Sequence, residues 1–484
     1  MSVRTRELFG LIPVSLLVCA GFAAVLVAEA QEVSDLTATY GAVFLGLCVF
    51  GHLFIRARLP DADPYLYPLA ALLAAFGLVM IYRIDTELAR EQAQWFVIGL
   101  ALLSATIYFL PDHHVLERYR YTIAAAGIAM LLLPRMPGIG EQVNGAYLAV
   151  DLGLIQFQPA EFAKLAVIVF LASYLRDTRE VLVRARLRAL TPVEQTLLYG
   201  VPAALVAAIV LALDLGAVAA VLLAVFTLSA VSLLRERPSL KHFGPLLLIW
   251  GLAMVMLVLI RDLGSSLMFF GGFLALLYVA TARLSIVGVG ATLFLSGAAY
   301  FATTVGHVEQ RVDTWLDPFD QKLYDAPGGS FQIAQSLFAQ ADGGLFGQGL
   351  GQSLLELPGG ATILPAAHTD LIYAVIADEL GLFGAAGLIL VYLLFAARGF
   401  KTALIAGDGF SKLLAAGLTA VFALQVFVIV GGVTKVIPLT GVTLPFVSYG
   451  GSSILANMVL LALLLIVSDR ARRARGRMAA GGLV

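Results

Sequence analysis

The chain has 484 residues, of which 60% are hydrophobic and only 13% are charged, and its formal net charge is -1. A soluble protein of this length cannot bury so much apolar surface, so the composition predicts an integral membrane protein and argues against a basic protein that binds nucleic acid. Both cysteines, Cys19 and Cys48, lie inside apolar runs, which excludes a disulfide framework or a cysteine metal site.

The N-terminal apolar run predicts a membrane anchor. Arg4 and Arg6 precede an apolar stretch from Phe9 to Ala28, and Ala28-Glu29-Ala30 is similar to a signal-peptide cleavage site. A membrane span needs about 20 residues, whereas the apolar core of a signal peptide has about 7–15. The stretch has spanning length, so we predict that it is retained.

Further apolar stretches of spanning length follow along the chain. The predicted spans lie at about 9–29, 37–55, 64–82, 93–110, 119–134, 160–175, 243–260, 265–282, 284–303, 370–397, 411–433 and 452–468. Another run at 196–234 is too long for one crossing at about 1.5 Å per residue and predicts a helical hairpin. The predicted fold class is an all-α polytopic membrane protein with about 12–14 transmembrane helices.

Lysine and arginine are distributed unevenly between the two sides of the predicted bundle. If the N-terminus is cytoplasmic, 23 of the 31 Lys and Arg residues fall in inner segments and 7 in outer ones. The positive-inside rule then predicts a protein of the cytoplasmic (inner) membrane with both termini in the cytoplasm. The long segment 304–368 becomes an extracytoplasmic loop, and loops of this length usually carry function. No ATP is expected there, so the substrates must carry their own energy.

Carboxylates in this loop are candidates for a catalytic base. Asp317, Asp320 and Asp325 stand close to proline and glycine, which hold a side chain on a constrained turn. The alternative interpretation is a solvated acidic turn whose aspartates cap short helices.

Charged groups also occur within or beside the predicted spans. Glu161 and Lys164 are three residues apart on one helix face. Arg261-Asp262 and His368-Thr369-Asp370 mark two other span ends. Ionisable groups in a membrane are costly, so they either line a polar cavity or form buried structural pairs.

A block of sixteen residues, Pro438 to Ser453, leads directly into the last span. Its glycines and serines before a helix can present backbone N–H groups to an anion such as a pyrophosphate.

Taken in order, these motifs resemble the SEDS family of shape, elongation, division and sporulation proteins, typified by RodA and FtsW. The resemblance implies a SEDS-type helical bundle at 64–470, with a probable inserted hairpin at 196–234 and a catalytic loop at 304–368. An extra N-terminal hairpin at 1–63 precedes this core and a basic cytoplasmic tail at 471–484 follows it. The leading pair of spans and the segment Gly431–Lys435 look most like an elongation-type RodA of actinobacteria-like lineages. The division-type FtsW paralogue is the alternative.

The resemblance implies a peptidoglycan glycosyltransferase that polymerises lipid II at the outer face of the cytoplasmic membrane, for cell elongation and shape. The leaving group is undecaprenyl-pyrophosphate, and the implied partner is a class B penicillin-binding protein. No cofactor is required by the motifs, although a divalent cation (Mg²⁺ or Mn²⁺) could share the pyrophosphate charge; no ligand cluster in the sequence demonstrates one.

The implied catalytic aspartate, matched backwards from Phe331-Gln332, is Asp325. Asp320 is its rival, because about four extra residues separate Asp325 from Asp317-Pro318. Lys164, Arg261 and Arg311, in that order, are the candidate cations for the pyrophosphate. The full set of implied substrate-binding residues is Glu161, Lys164, Arg261, Asp262, Arg311, Gln332, Ser336, His368, Asp370, Ser448, Gly450, Gly451, Ser452 and Ser453.

The chain also departs from the family pattern. Ala326 follows the aspartate where the family commonly has proline, Ala149 replaces a tryptophan, and Arg261 precedes Asp262 where proline is typical. Two other functions remain open from the residues alone. A lipid II flippase should concentrate polar groups at the midplane and show internal repeats, and a non-catalytic scaffold should lack the aspartate.

Overall fold

The computed structural model is built from long helices. It describes residues 3–28, 35–143, 146–151, 153, 156–183, 262–285, 287–292, 294–295, 306–326, 328–355 and 363–481, with isolated positions between 200 and 251. The predicted span at 243–260 and Arg261 lie outside these residues apart from single positions, and so does most of the hairpin at 196–234. Those three features remain predictions.

The helices and strands follow the chain in a simple order. The first half contains α1 (Val3–Gly10), α2 (Ile12–Ala28), α3 (Asp35–Arg58), α4 (Leu66–Ile84), α5 (Thr86–Phe109), α6 (Val115–Arg118), α7 (Arg120–Leu132), β1 (Gly140–Val143), β2 (Ala146–Asp151), β3 (Gln156–Phe157) and α8 (Pro159–Val183). The second half contains α9 (Leu263–Thr281), α10 (Gly306–Leu316), α11 (Gln321–Asp325), α12 (Phe331–Gly343), α13 (Ile372–Ile405), α14 (Gly409–Val433) and α15 (Gly451–Gly481).

Eight helices in the described part are long and apolar enough to cross a membrane. They are Arg4–Ala28, Gly41–Arg58, Leu66–Ile84, Thr86–Phe109, Gly264–Thr281, Ile372–Ile405, Gly409–Val433 and Gly451–Met478. Each lies at a span predicted from the sequence, and α7 and α8 lie at two more. The all-α polytopic class is confirmed, while the total of 12–14 spans extends beyond the described residues and stays a prediction.

Small residues allow the central helices to approach closely. A Cβ atom on Gly77 would lie 2.6 Å from the Val447 backbone, and one on Gly417 would lie 2.9 Å from the Ile168 side chain. Helix α14 packs against α8, α9 and α13, and α15 packs against α5. Close backbone contact of this kind is how helices associate where no water drives apolar burial.

The N-terminal helices are fastened to the bundle by a buried polar cluster. Glu7 accepts a hydrogen bond from Arg4 and lies 2.8 Å from Nδ1 of His52. The Arg4 Nε donates to the Pro60 carbonyl at 3.1 Å. All three side chains are almost fully buried, so each must be paired to be tolerated in apolar surroundings.

The predicted outer loop contains secondary structure of its own. Helices α10, α11 and α12 lie within 304–368, as expected for a functional loop of this length. The shorter outer segment before α8 forms an antiparallel sheet in the order β1-β2-β3. No strand was expected there, because strands of 2–6 residues carry little periodic signal.

A kink in α13 holds the end of the outer loop. Gly381 has φ +67°, which interrupts the helix. The loop after α12 crosses this point, where Gln348 N–H donates to the Asp378 carbonyl at 2.9 Å and Gly349 N–H to the Glu379 carbonyl at 3.0 Å. A Cβ on Gly347 would lie 2.2 Å from the Glu379 carbonyl oxygen, so this crossing requires glycine.

Candidate active site

A large cavity of about 1490 Å³ opens at one end of the bundle, beneath the outer loop. Its walls come from α5, β2, β3, the first turn of α8, the N-terminus of α9, α10, the α11–α12 turn, and the segments before α13 and α15. The lining residues that the sequence singled out are Glu161, Asp262, Arg311, Gln332, His368, Asp370, Gly450, Gly451 and Ser452. Elements distant in sequence therefore bring nine of the predicted site residues together.

The turn that carries Asp325 forms one rim of the cavity. Asp325 is the last residue of α11 and is exposed, and Gln321 Nε2 donates to its Oδ2 at 2.7 Å. Ser330 N–H donates to the Leu323 carbonyl at 2.9 Å, which closes the turn against α11. A Cβ on Gly329 would lie 1.8 Å from the same carbonyl, so the turn requires glycine there. Asp325 itself is not among the lining residues, whereas Gly329 is.

The rival aspartate, Asp320, has a structural role at the start of a helix. Asp320 is the N-cap of α11, and its Oδ1 accepts from Lys322 N–H at 2.9 Å and from Leu323 N–H at 3.1 Å. This arrangement is the helix-capping role that the sequence left open for these aspartates. Of the two, Asp325 is the aspartate next to the cavity rim.

Lys164 lies behind the cavity wall. Its Nζ donates to Glu161 Oε2 at 2.6 Å and to Gln425 Oε1 at 2.6 Å. Gln425 Nε2 in turn donates to the Thr443 carbonyl at 2.9 Å. Glu161 and Thr443 line the cavity, but Lys164 and Gln425 do not. Lys164 therefore links the Glu161 wall to the Thr443 wall through hydrogen bonds. The sequence predicted that its side chain would face the cavity, and it does not.

Arg311 is the one Lys or Arg among the described residues that line the cavity. Its NH1 donates to the Thr440 carbonyl at 3.2 Å, which leaves other guanidinium N–H groups available. Its charge acts on Asp262 and Asp370, in both cases against the effect of burial. Arg311, ranked last of the three cations from the sequence, is thus the one placed to meet an anion.

Burial shifts the protonation of the groups around Arg311. It raises the pKa of Asp370 to about 6, although Arg311 opposes the change. It also raises the pKa of Asp262, whose carboxylate caps α9 through the N–H of Ser265 at 2.9 Å. Burial lowers the pKa of His368, which favours its neutral form. The cavity therefore holds one carboxyl group, Asp370, whose pKa of about 6 lies close to neutral pH.

The N-terminus of α15 opens into the cavity. Gly450, Gly451 and Ser452 line it, and the first N–H groups of a helix have no acceptor within the helix. Such a terminus carries a partial positive charge and favours an anion. A Cβ on Gly451 would lie 2.3 Å from the Trp95 ring, so only glycine lets the chain pass between this ring and the cavity.

The remaining predicted residues support the walls. Ser448 Oγ donates to the Thr369 carbonyl at 2.7 Å and accepts from Leu444 N–H, which holds the turn before α15. Ser336 Oγ donates to the carbonyl of Ile333 at 3.0 Å. Ser453 is buried beside Asn457. The sequence grouped these three with the substrate-binding residues, but their side chains do not line the cavity.

Several lining groups were not predicted from the sequence. Trp95 lies on the wall, and Tyr449 Oη donates to Glu91 across the cavity mouth. Gln92, which is buried behind this wall, accepts from Gly450 N–H at 3.3 Å. These α5 residues sit in an ordinary amphipathic stretch, and only the fold places them opposite the block before α15.

The carboxylates of the cavity do not form a metal site of their own. Among the described residues, the groups of three His, Cys, Asp or Glu with ligand atoms within 4.8 Å of one another are Asp112-His113-His114 and His114-Glu117-Asp408. Neither group lines this cavity. The described carboxylates of the cavity therefore do not supply three clustered ligands by themselves, and the steps below are derived from the protein groups.

The raised pKa of Asp370 predicts a pH-dependent stability. A carboxyl group with a raised folded-state pKa destabilises the fold once it is charged, so its penalty is small below about pH 4 and complete above about pH 6. We expect Asp370→Asn to be more stable than the wild type at pH 7.5 by about 1–3 kcal/mol and to lose most of this advantage at pH 4.5. Thermal unfolding in detergent at both pH values measures the difference. A difference that does not change with pH would contradict it.

Comparison with known proteins gives a consistent result. A family model described as cell cycle protein, FTSW_RODA_SPOVE, matches residues 64–235 and 223–473. The chain is 38% identical to peptidoglycan glycosyltransferase RodA of Mycobacterium tuberculosis, covering 93% of this chain and 88% of that protein. It is 27% identical to stage V sporulation protein E of Bacillus subtilis, covering 85% of this chain and 98% of that protein.

Solved structures resemble the fold as well. A chain from a structure titled as the coordination of polymerization and crosslinking by a peptidoglycan synthase complex has a TM-score of 0.59 and 25% identity, covering 85% of this chain and 98% of that one. The crystal structure of the rod shape determining protein RodA of Thermus thermophilus has a TM-score of 0.51 and 25% identity, covering 85% and 97%.

Proposed function

The chain belongs to the FtsW, RodA and SpoVE family of cell cycle proteins, and from this premise we propose that it is a peptidoglycan glycosyltransferase. It polymerises lipid II into glycan strands in the outer cavity. The observation that carries the proposal is the cavity itself, which brings an aspartate-bearing turn, a half-buried arginine and a helix N-terminus together. The mycobacterial relatives at 36–38% identity are named RodA, and the FtsW relatives are at 27–32%. We therefore assign the elongation role and do not favour the division paralogue.

The reaction forms one bond and breaks another. The acceptor sugar hydroxyl attacks the anomeric carbon of the donor, and the bond from that carbon to the pyrophosphate oxygen breaks. Asp325 takes the proton of the hydroxyl as general base, because it directly precedes the lining residue Ala326 on a turn fixed by glycine. Gln332 lies on the next helix, α12, and lines the cavity, where it can position the sugar.

The departing undecaprenyl-pyrophosphate needs positive charge. Arg311 and the N-terminus of α15 both line the cavity and supply it, and preorganised charges and dipoles of this kind stabilise developing charge. Glu161 and Asp262 also line the cavity, and their negative charges would repel the pyrophosphate. Lys164 pairs with Glu161 and offsets its charge. A Mg²⁺ or Mn²⁺ ion that travels with the pyrophosphate remains a proposal, and no step here depends on it.

The proposed substrate and partner agree with the placement of the site. The donor and growing glycan are lipid II and its undecaprenyl-pyrophosphate-linked product, and the crosslinking partner is a class B penicillin-binding protein. The structural relative whose title describes a peptidoglycan synthase complex supports a partner of this kind. The cavity opens on the outer face of the cytoplasmic membrane.

The test is direct synthesis. The purified full chain, alone and with its penicillin-binding partner, is incubated with lipid II, and the products are separated by glycan length. Chains of many disaccharides are the expected product. If lipid II is moved between leaflets of a vesicle but never polymerised, the protein is a flippase and the proposal fails.

The orientation is a further prediction. Because 23 of 31 Lys and Arg residues fall on one side, we expect both termini in the cytoplasm. Gln348 is exposed in the outer loop, so Gln348→Cys, in a background with Cys19→Ser, should react with an impermeant maleimide in intact cells. Arg475→Cys in the tail is the matched position and should react only after lysis. The reverse pattern would overturn the orientation.

A further inference from the structure

A second cavity of about 400 Å³ lies at the opposite end of the bundle from the proposed active site. Helix α15 begins at the active-site cavity with Gly451 and reaches the second cavity at Arg470. Nineteen residues of helix span about 28 Å, which is the thickness of the apolar core of a membrane. The second cavity therefore lies at the other membrane face, and the proposed reaction does not use it.

One face of α15 lines this second cavity with arginines. Arg470, Arg473 and Arg477 follow the i, i+3, i+7 spacing of a single helix face, and the small Ala471 and Ala474 between them leave the space open. Arg470 binds Asp112, and Arg473 binds Asp469 at 2.8 Å and Asp61 at 3.4 Å. No hydrogen bond or ion pair holds Arg477 within the part of the chain that the structure describes, so its guanidinium is available.

The floor of the cavity contains an unpaired acceptor. His113 is 1% exposed, and its Nδ1 has no partner among the described residues. Ser411 Oγ donates its only proton to Asp408 Oδ2 at 2.6 Å, so it must accept from the His113 Nε2 at 2.5 Å. Burial lowers the pKa of His113 to about 4, so the neutral ring carries its proton on Nε2. The Nδ1 atom is therefore a buried lone pair that needs a donor.

A metal ion does not satisfy this arrangement. Asp112, His113 and His114 have ligand atoms within 4.8 Å of one another, which is compatible with a cation site. However, the Arg470 NH1 lies 2.6 Å from Asp112 Oδ1 and 3.4 Å from His114 Nδ1. The guanidinium already holds the positive charge at that position, and a second cation beside it would be repelled.

We propose that this cavity binds the headgroup of an anionic phospholipid, whose phosphate meets Arg473 and Arg477 and whose hydroxyl donates to Nδ1 of His113. The cavity sits where the apolar part of α15 ends at Val467 and its arginines begin, which is the level of the lipid headgroups. Basic pockets between membrane helices at this level bind phosphate headgroups. The carboxylate in the lining, Asp408, is occupied because it caps α14 through Ser411.

The test measures lipid retention on the purified full chain. The protein is delipidated in detergent, titrated with phosphatidylglycerol and examined by native mass spectrometry. Phosphatidylcholine, which has a phosphate but no hydroxyl or ammonium donor, is the comparison lipid. We expect phosphatidylglycerol to be retained at least about fivefold better, and Arg477→Ala to lower its retention about fivefold.

Arg475→Ala is the matched control, because Arg475 carries the same charge on the same helix but does not line the cavity. It should leave retention unchanged. His113→Gln keeps a donor for Ser411 but has no acceptor at the Nδ1 position, and it should lower retention about threefold. If Arg477→Ala and Arg475→Ala lower lipid retention equally, the lipid responds only to the general surface charge, and the proposed site is overturned. Displacement of the lipid by 10 mM inorganic phosphate would identify free phosphate as the ligand and overturn the lipid assignment.

Discussion

Replacing Asp325 by asparagine is expected to lower glycan synthesis by about 10²–10⁴-fold, the usual contribution of general-base catalysis. The substitution keeps the shape and the hydrogen bond to Gln321 but removes the basic oxygen. Because Asp325 is exposed at the end of α11, the fold and the binding of the partner should not change. The measurement is glycan formation from lipid II by equal amounts of wild-type and variant protein, with co-purification of the partner as the check on folding.

Asp320→Asn is the matched control for this variant. Asp320 differs from Asp325 in its role, because its carboxylate caps α11 and asparagine caps a helix about as well. Its activity should therefore fall by less than about threefold. If the Asp320 variant is inactive and the Asp325 variant is active, the catalytic base is Asp320, on the other side of the four-residue insertion. If both variants keep full activity, the glycosyltransferase proposal is itself wrong.

Replacing Lys164 by alanine should produce the second large loss. Lys164 is 4% exposed and is the one cation paired with Glu161 among the residues that the structure describes, so its removal leaves a buried carboxylate and the Gln425 amide without their donor. Breaking a buried ion pair from one side costs about 3–5 kcal/mol. If about 3 kcal/mol of that cost reaches the transition state through the displaced wall, polymerisation falls roughly 100-fold.

Two further variants separate this effect from a general loss of folding. Lys412→Ala removes an exposed lysine from α14 and should leave synthesis unchanged. Gln425→Leu keeps the ion pair but breaks the link to Thr443, so it should cause an intermediate loss. The amount of membrane-inserted protein is measured for each. If Lys164→Ala polymerises lipid II normally, the Glu161–Lys164 pair is not needed for the reaction.

At the candidate site, the sequence predicted which segments take part but not which side chains face the cavity. The motifs led to segments that the fold brings together, because Glu161, Arg311, Asp370 and Gly451 all line one cavity. They did not distinguish a side chain that faces the cavity from one that lies behind it. Lys164 and Ser336 stand in the same motifs as lining residues, but their side chains turn to Glu161 and to backbone carbonyls instead.

Residues without a motif could not be found at all. Gln425 lies in an apolar span with no charged neighbour, and Trp95 lies in a helix of ordinary composition. Gln425 matters because α14 packs beside α8, and Trp95 because α5 packs beside α15. Such contacts depend on which helices become neighbours, and no local pattern encodes that choice.

The sequence by itself determined the membrane class, the positions of eight helices of spanning length, the long loop before α13 and the family. These follow from length, hydropathy and fixed motifs, which are local properties of the chain. Only the tertiary structure decided that Asp320 caps a helix while Asp325 stands at the cavity rim, and that Arg311 faces the cavity while Lys164 does not. The physical reason is that burial and pairing of a charge are set by distant residues, since the partners of Lys164 include Gln425, 261 positions away.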